Sequence, residues 1–272
     1  MAYQIRPLSF GEILDRSFRV VIDNAALLIA ISAIVYVPEA LLTSIGPKFA
    51  LMIALIMLAV FPLLQAALAT AVAEIYLDRE ITIERAYRSS WAIYLPFLGT
   101  YFLYYLIIGV TMAPVAMLAG FAGAASVSPV AIAIVAILIA MPVAVYLANR
   151  WALIGPVMVV ERKFGTAALG RSGALVKGVW WQMFGIFVAA GLIVQVPVAV
   201  LSLIWRSIPI LGSILTGLAS SISWAYSHTV IVVYYFDRRC RLEDFDLLRL
   251  AEQIRSEASA GSPASTGAPT VG

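Results

Sequence analysis

Tyr76-Leu77-Asp78-Arg79, Val159-Val160-Glu161-Arg162 and Tyr235-Phe236-Asp237-Arg238 each close a long apolar run with an acid followed by an arginine. Around them six apolar spans can be drawn, at about Ala25 to Ile45, Phe49 to Leu77, Leu95 to Ala119, Pro129 to Val160, Trp181 to Trp205 and Gly212 to Phe236. The three acid-Arg pairs end spans two, four and six. Of the eighteen Lys and Arg, all but Lys48 and Arg206 then fall on one side. Lys and Arg are concentrated in cytoplasmic loops, so that side is expected to face the cytoplasm, with both termini inside.

Composition agrees with this environment. Apolar residues make up 62% of the chain and charged residues 12%. Soluble domains carry about 45–50% and about 25%. Mean hydropathy is +0.97 and the isoelectric point is near 9.0. The basic residues hug span ends, where they set topology and attract anionic headgroups, so nucleic acid is not an expected partner and membrane lipids are. Residues 1 to 24 contain Glu12, Asp15 and Asp23 and lack the order of a removable signal peptide, so span one reads as an uncleaved anchor. The one cysteine, Cys240, has no partner for an intramolecular disulfide.

Spacing suggests a threefold repeat. Nine residues after Arg79 and after Arg162 come Arg88-Ser89 and Arg171-Ser172, and Arg16-Ser17 supplies a third such pair. Pro114 and Pro197 lie twenty-six residues beyond Arg88 and Arg171, and Pro38 lies twenty-two beyond Arg16. The expected fold is all-α. Six transmembrane helices form three parallel helical hairpins, over residues 9–79, 81–162 and 166–238, each preceded by a short interfacial helix. Phe10, Ile13, Leu14, Phe18 and Val21 follow one helical face in the first of these, and Ser9 with Glu12 has the spacing of a capping box. Ile83, Tyr87 and Trp91, then Leu169, Ala174, Val176 and Trp180, repeat the habit more weakly. A further amphipathic helix is expected over 242–255. The Ser/Pro/Gly-rich stretch 256–272 reads as a disordered tail, leaving residues 1–255 as a single membrane domain.

Charged and polar groups at bilayer depth are the site candidates. Arg150, with Asn149 beside it, lies about three helical turns before Glu161, deep in the hydrocarbon if span four is straight to Val160. A guanidinium there could anchor a phosphate or carboxylate headgroup. Alternatively Gly155-Pro156 breaks the helix and Arg150 snorkels to the interface. His228, the single histidine, stands with Tyr226 ten residues before Arg238, as a ligand or as an interhelical hydrogen-bonding group. Glu39 follows Pro38, and Gln195 precedes Pro197, where its amide could serve carbonyls freed by a kink. Gly185 with Ala189, and Gly120 with Gly123, permit close helix packing. With no phosphate loop, no Cys/His cluster and a single His, no metal, no cofactor and no enzymatic activity are expected.

Arg6-Pro7-Leu8-Ser9-Phe10-Gly11-Glu12-Ile13-Leu14-Asp15, Arg150-Trp151 followed by Pro156 and Glu161, and Tyr235-Phe236-Asp237 with Phe245-Asp246-Leu247 resemble the membrane domain of glycerophosphoryl diester phosphodiesterase. The resemblance spans about residues 5 to 250. Family members with the enzyme carry a separate soluble barrel that holds its paired histidines and metal-binding carboxylates, and no such barrel is read here, so phosphodiesterase activity is not implied. The resemblance implies a bacterial inner-membrane protein. From the residues, the leading expectation is a non-catalytic protein holding a lipid or other amphiphile in a cleft against Arg150 and His228. The alternatives are a scaffold recruiting a protein partner through its interfacial and C-terminal helices, and a small-solute transporter.

Overall fold

The computed structural model describes residues 6–44, 46–124, 128–205 and 208–247. Among these the chain is all-helical, with ten α-helices and no strand. They are α1 (Phe10–Asp23), α2 (Ala25–Ser44), α3 (Ala50–Tyr76), α4 (Ile83–Trp91), α5 (Tyr94–Ala124), α6 (Pro129–Arg150), α7 (Ile154–Val160), α8 (Thr166–Val176), α9 (Trp180–Trp205) and α10 (Pro209–Glu243). A short helix followed by a pair of long ones thus occurs three times in the element order. Most of the helix expected over 242–255, and all of the tail 256–272, lie outside the described residues.

Local signals account for most helix ends. Ser9 and Glu12 form a full capping box at the start of α1, and Thr82 caps α4. Arg6, 2.5 Å from Glu12, and the Ser9 backbone hold the Glu12 carboxyl down at about 2. Because this pKa is lowered on folding, its contribution to α1 is fully present above the ordinary carboxylate range and is lost only as pH falls through about 2. Amide exchange in the first turn of α1 is therefore expected to stay slow from pH 7 to pH 4. Exchange that accelerates already near pH 5 would contradict the box.

At the end of α3, Asp78 adopts a left-handed conformation (φ 59°), its N–H donating to the Ile75 carbonyl and that of Arg79 to the Glu74 carbonyl. Arg162 (φ 54°) follows α7 in the same way. The third acid-Arg pair behaves differently. α10 runs straight through Asp237 and Arg238 and ends only at Asp244 (φ 49°). Both residues of the pair are buried: Asp237 pairs with Arg241 one turn on, and Arg238 donates to the Leu175 carbonyl of α8 at 2.9 Å, so the helix continues past them.

Span four is not straight. α6 stops at Arg150, and a turn over residues 151–153 precedes α7. Pro156 has no N–H, and its ring crowds the carbonyl four residues earlier, so the helix breaks there. Ser172 of α8 repairs the break: its hydroxyl accepts from the Leu153 N–H (3.2 Å) and donates to the Arg150 carbonyl (3.1 Å).

α10 is the central helix. It packs along α2 over the greatest length and also meets α9, α1, α3, α8 and α7. From Ala225 to Phe236 its residues are nearly all buried, Thr229 and His228 included. The surrounding α3 segment, Leu64 to Ala73, is alanine-rich and likewise buried, which lets backbones approach closely. Away from the arginine-rich end large apolar side chains are exposed: Leu51, Leu55 and Leu58 of α3, and Phe102, Val110 and Leu203 elsewhere. Apolar exposure on this scale does not suit a water-soluble surface and marks a membrane protein.

Five helical stretches are long and apolar enough to cross a membrane: Ala25–Ser44, Ala50–Tyr76, Tyr94–Pro114, Leu138–Val160 and Trp180–Trp205. The sixth span drawn from the sequence falls in α10, which is not among them. Ser213, Thr216, Ser221, Ser223, Ser227, His228 and Thr229 dilute its apolarity, and a helix wrapped by other helices can carry them. Several of these hydroxyls donate to the carbonyl four residues earlier, as Ser221 does to Gly217 and Thr229 to Ala225.

The short helices α1, α4 and α8 each bury one face against the long ones. α1 buries Ile13, Ser17, Val20 and Val21, leaving Phe10 and Phe18 exposed. α4 buries Ala86 and Ser90, and α8 buries Ala168, Leu169, Ser172, Leu175 and Val176. Each packed face includes a serine, Ser17, Ser90 or Ser172, where a small side chain allows close contact.

Candidate functional site

Three arrangements carry the polar chemistry. The first lies where α3, α5 and α10 meet. The Tyr101 hydroxyl donates to Gln65 Oε1 at 2.6 Å, His228 Nε2 lies 3.4 Å from the same oxygen, and His228 Nδ1 lies 3.0 Å from the Trp224 carbonyl. Trp224 is stacked on Tyr36 of α2 and meets Phe61 of α3 edge-on. His228 therefore sits at the end of an aromatic column, 5% exposed, between two acceptor oxygens, the Trp224 carbonyl of its own helix and Gln65 Oε1 of α3, to one of which a neutral imidazole donates. The hydroxyls of Tyr36 and Ser223 are buried without a hydrogen-bond partner among the described residues.

Tyr101 also forms part of the wall of a groove between α3 and α5, open on one side, with a volume of about 1260 Å³. Leu55, Leu58, Phe61, Phe102, Leu106 and Val110 dominate its lining, and no Lys, Arg, Asp or Glu contributes. Tyr94 bridges the same helices through a 2.7 Å hydrogen bond to the Ala59 carbonyl.

The second arrangement is the junction of α6, α8 and α9. Arg150 is exposed and donates to the Tyr146 hydroxyl at 3.0 Å. Tyr146 stacks on Trp180 at 6.1 Å, and the Trp180 indole N–H donates to the Tyr146 carbonyl. Asn149, 4% exposed, donates to the Trp180 carbonyl at 2.8 Å, while its Oδ1 is buried without a partner among the described residues.

The third is a charge plate at the arginine-rich end. Glu161 pairs with Lys163 and Arg171 and accepts from the Tyr235 hydroxyl; Arg171 reaches on to Glu243, which also pairs with Arg239. Burial works against the charge of Glu161 and Glu243, but these hydrogen bonds and cations hold both below the usual carboxylate range. Asp237 accepts from the Leu8 N–H at 2.7 Å and pairs with Arg241. Burial pushes the Cys240 thiol, on the same end of α10, up to about 11. The plate binds residues far apart in sequence, and its carboxylates are already matched by cations. Among the described residues no cluster of His, Cys, Asp and Glu could hold a metal ion.

A family described as "Domain of unknown function (DUF8558)" matches residues 39–256. The chain belongs to the DUF8558 family. No curated protein and no solved structure matches it. The DUF8558 region takes in the groove, the Tyr101–Gln65–His228 bridge, the α6–α8–α9 junction and most of the charge plate. Arg6 to Asp15, the opening segment of the resemblance drawn from the sequence, lie before it.

The six candidate residues do not converge. Arg150 and Asn149 belong to the α6–α8–α9 junction. His228 belongs to the bridge, and Tyr226 lies one face away, its hydroxyl 3.5 Å from the Leu14 carbonyl. Glu39 is half-buried on α2, one turn beyond Tyr36, and Gln195 is exposed on α9 without a hydrogen bond among the described residues. Gln65 and Tyr101 were missed in the sequence reading. Gln65 carried the same signal as Gln195, a lone amide in an apolar run, but nothing in sequence says which of two such amides faces inward.

Proposed function

We propose that the chain is a non-catalytic bacterial inner-membrane protein that holds the apolar chain of a membrane amphiphile in the α3–α5 groove. The observation that carries this reading is the groove itself. It exceeds the roughly 300–1,000 Å³ of ordinary ligand clefts, and its lining is almost wholly apolar with hydroxyls from Tyr101 and Tyr105. Such walls suit an acyl or prenyl chain, and they offer no counter-charge to an ionic group inside.

The same reading makes α10 a sixth crossing, completing three parallel hairpins with the arginine-rich end in the cytoplasm. Its 35 residues span about 52 Å, ample for a bilayer. From Ala225 to Phe236 enclosure by other helices removes the need for a lipid-facing surface, and nearer its start α10 exposes Ile210, Leu211, Leu218 and Ile222. The three successions of short helix and long pair support the repeat, and the Lys/Arg bias supports the orientation. The likeness to the glycerophosphoryl diester phosphodiesterase membrane domain accords with a lipid-facing role, and no catalytic step is proposed from it.

Gly109 lines the groove, and a Cβ there meets nothing within 4 Å, so a large side chain can enter without moving backbone. Gly109→Trp is expected to reduce retention of a fluorescent fatty-acyl probe by the detergent-purified protein roughly tenfold, through lost apolar burial. Gly191→Trp on α9, equally unobstructed, is the control. Equal retention by both variants would end the groove reading.

A further inference from the structure

We propose that Arg150 seats the phosphate of an anionic phospholipid at the junction of α6, α8 and α9. This site shares no residue with the α3–α5 groove and does not depend on it.

The guanidinium is held on two sides. A Cβ built on Gly173 of α8 would lie 3.3 Å from Arg150 Nε, 3.5 Å from Nη2 and 3.6 Å from Cζ, so the guanidinium rests against a glycine left open for it. Gly173 is fixed in turn, because its neighbour Ser172 caps the α6–α7 break from below Arg150. On its other flank, Nη1 donates to the Tyr146 hydroxyl, and Tyr146 is stacked on Trp180. A side chain that merely snorkels needs neither the glycine floor nor the hydroxyl.

What the guanidinium lacks is an anion. Arg79, Arg88, Arg171, Arg239 and Arg241 each face a carboxylate. Arg150 faces a phenol, and among the described residues no carboxylate lies within ion-pair distance of it. Glu161, the acid nearest in sequence, is taken by Lys163 and Arg171. A positioned planar fork with most of its donors unused matches two phosphate oxygens. Trp181, exposed beside Trp180, adds the indole typical of the headgroup level. A phospholipid fits better than free phosphate because the exposed faces of α6 and α9 around the site are apolar, as at Val143, Val188 and Leu192.

The test titrates full-length protein in detergent with dioleoyl phosphatidylglycerol, with diacylglycerol of the same chains, and with inorganic phosphate, reading affinity by native mass spectrometry and thermal shift. Phosphatidylglycerol is expected to bind and stabilise wild type, and the other two are not. Arg150→Gln is expected to weaken phosphatidylglycerol binding roughly tenfold by removing a charge-assisted pair. Gly173→Ala, which displaces the guanidinium without removing it, is expected to weaken binding about threefold, as a smaller share of that pair. Wild-type affinity in Arg150→Gln overturns the proposal. So does diacylglycerol binding as well as phosphatidylglycerol, and so does inorganic phosphate reproducing the stabilisation. Gly109→Trp reports on the groove separately, so failure of one reading is distinguishable from failure of the other.

Discussion

Gly217→Val is expected to abolish the folded, monodisperse protein, whereas Gly191→Val leaves it intact. At Gly217 a Cβ would lie 2.7 Å from the Val37 Cα and 2.8 Å from the Tyr36 carbonyl oxygen. These are backbone atoms of α2, so no rotamer change relieves the clash, and the two helices must separate. Their contact is the most extensive among the described residues, and it positions Tyr36 on Trp224 at 5.7 Å. Overpacking a core usually costs about 1–3 kcal/mol, and a backbone obstruction belongs at or above the top of that range. Size-exclusion profile and melting temperature in one detergent are the measurements. At Gly191 nothing lies within 4 Å of an added Cβ. If Gly217→Val melted like wild type, the close approach of α2 and α10 would be refuted.

This crossing shows where sequence reading stopped. Gly185 with Ala189 and Gly120 with Gly123 stood out, yet a Cβ on Gly185 meets only the Phe10 ring at 3.4 Å, and one on Gly120 meets nothing. The close approach is at Gly217, which falls in a series of small residues, Ser213, Gly217, Ser221 and Ala225, spaced by four along α10. Serine counts as small in this pattern as glycine does. Only pairs containing glycine were picked out from the sequence, and three of the four residues in the α10 series are serine or alanine. Helix ends governed by a few neighbouring residues were legible: Ser9 with Glu12 does cap α1, and Asp78 and Arg162 do turn the chain after α3 and α7. Asp237-Arg238 looked identical on paper. Whether an acid-Arg pair ends a helix depends on the left-handed residue and on what surrounds it, and here burial keeps the helix running to Glu243.

The site was less legible for a related reason. Depth along a helix can be counted from sequence, and on that count Arg150 and His228 stood at similar levels. Angular position around a helix, and which neighbour each face meets, cannot be counted. α10 turns His228 toward Gln65 of α3, while α6 ends by laying Arg150 against Gly173 of α8. Two groups at one depth thus belong to two different junctions. Gly173, with no side chain, carried no chemical signal that it supports a guanidinium.

Asp237→Ala is expected to release the segment from Leu8 through α1 from the rest of the bundle. The Asp237 carboxylate is 1% exposed as a residue and takes the Leu8 N–H at 2.7 Å, while Arg241, paired to it at 3.0 Å, also donates to the Leu8 carbonyl. One carboxylate therefore satisfies a buried backbone donor and orients the guanidinium that satisfies the matching acceptor. Removing one partner of a buried ion pair costs about 3–5 kcal/mol. Arg241 keeps 39% of its side-chain exposure, so water compensates part of its loss and the effect falls toward the lower end. Asp237→Asn retains an acceptor for Leu8 but not the charge, and is expected to cost about half as much. Hydrogen exchange separates a local release from general unfolding: amides of residues 8–21 should exchange faster while those of α3 and the middle of α10 hold their protection. Unchanged protection of residues 8–21 in Asp237→Ala would mean that α1 is held by its apolar face alone, through Ile13, Val20 and Val21.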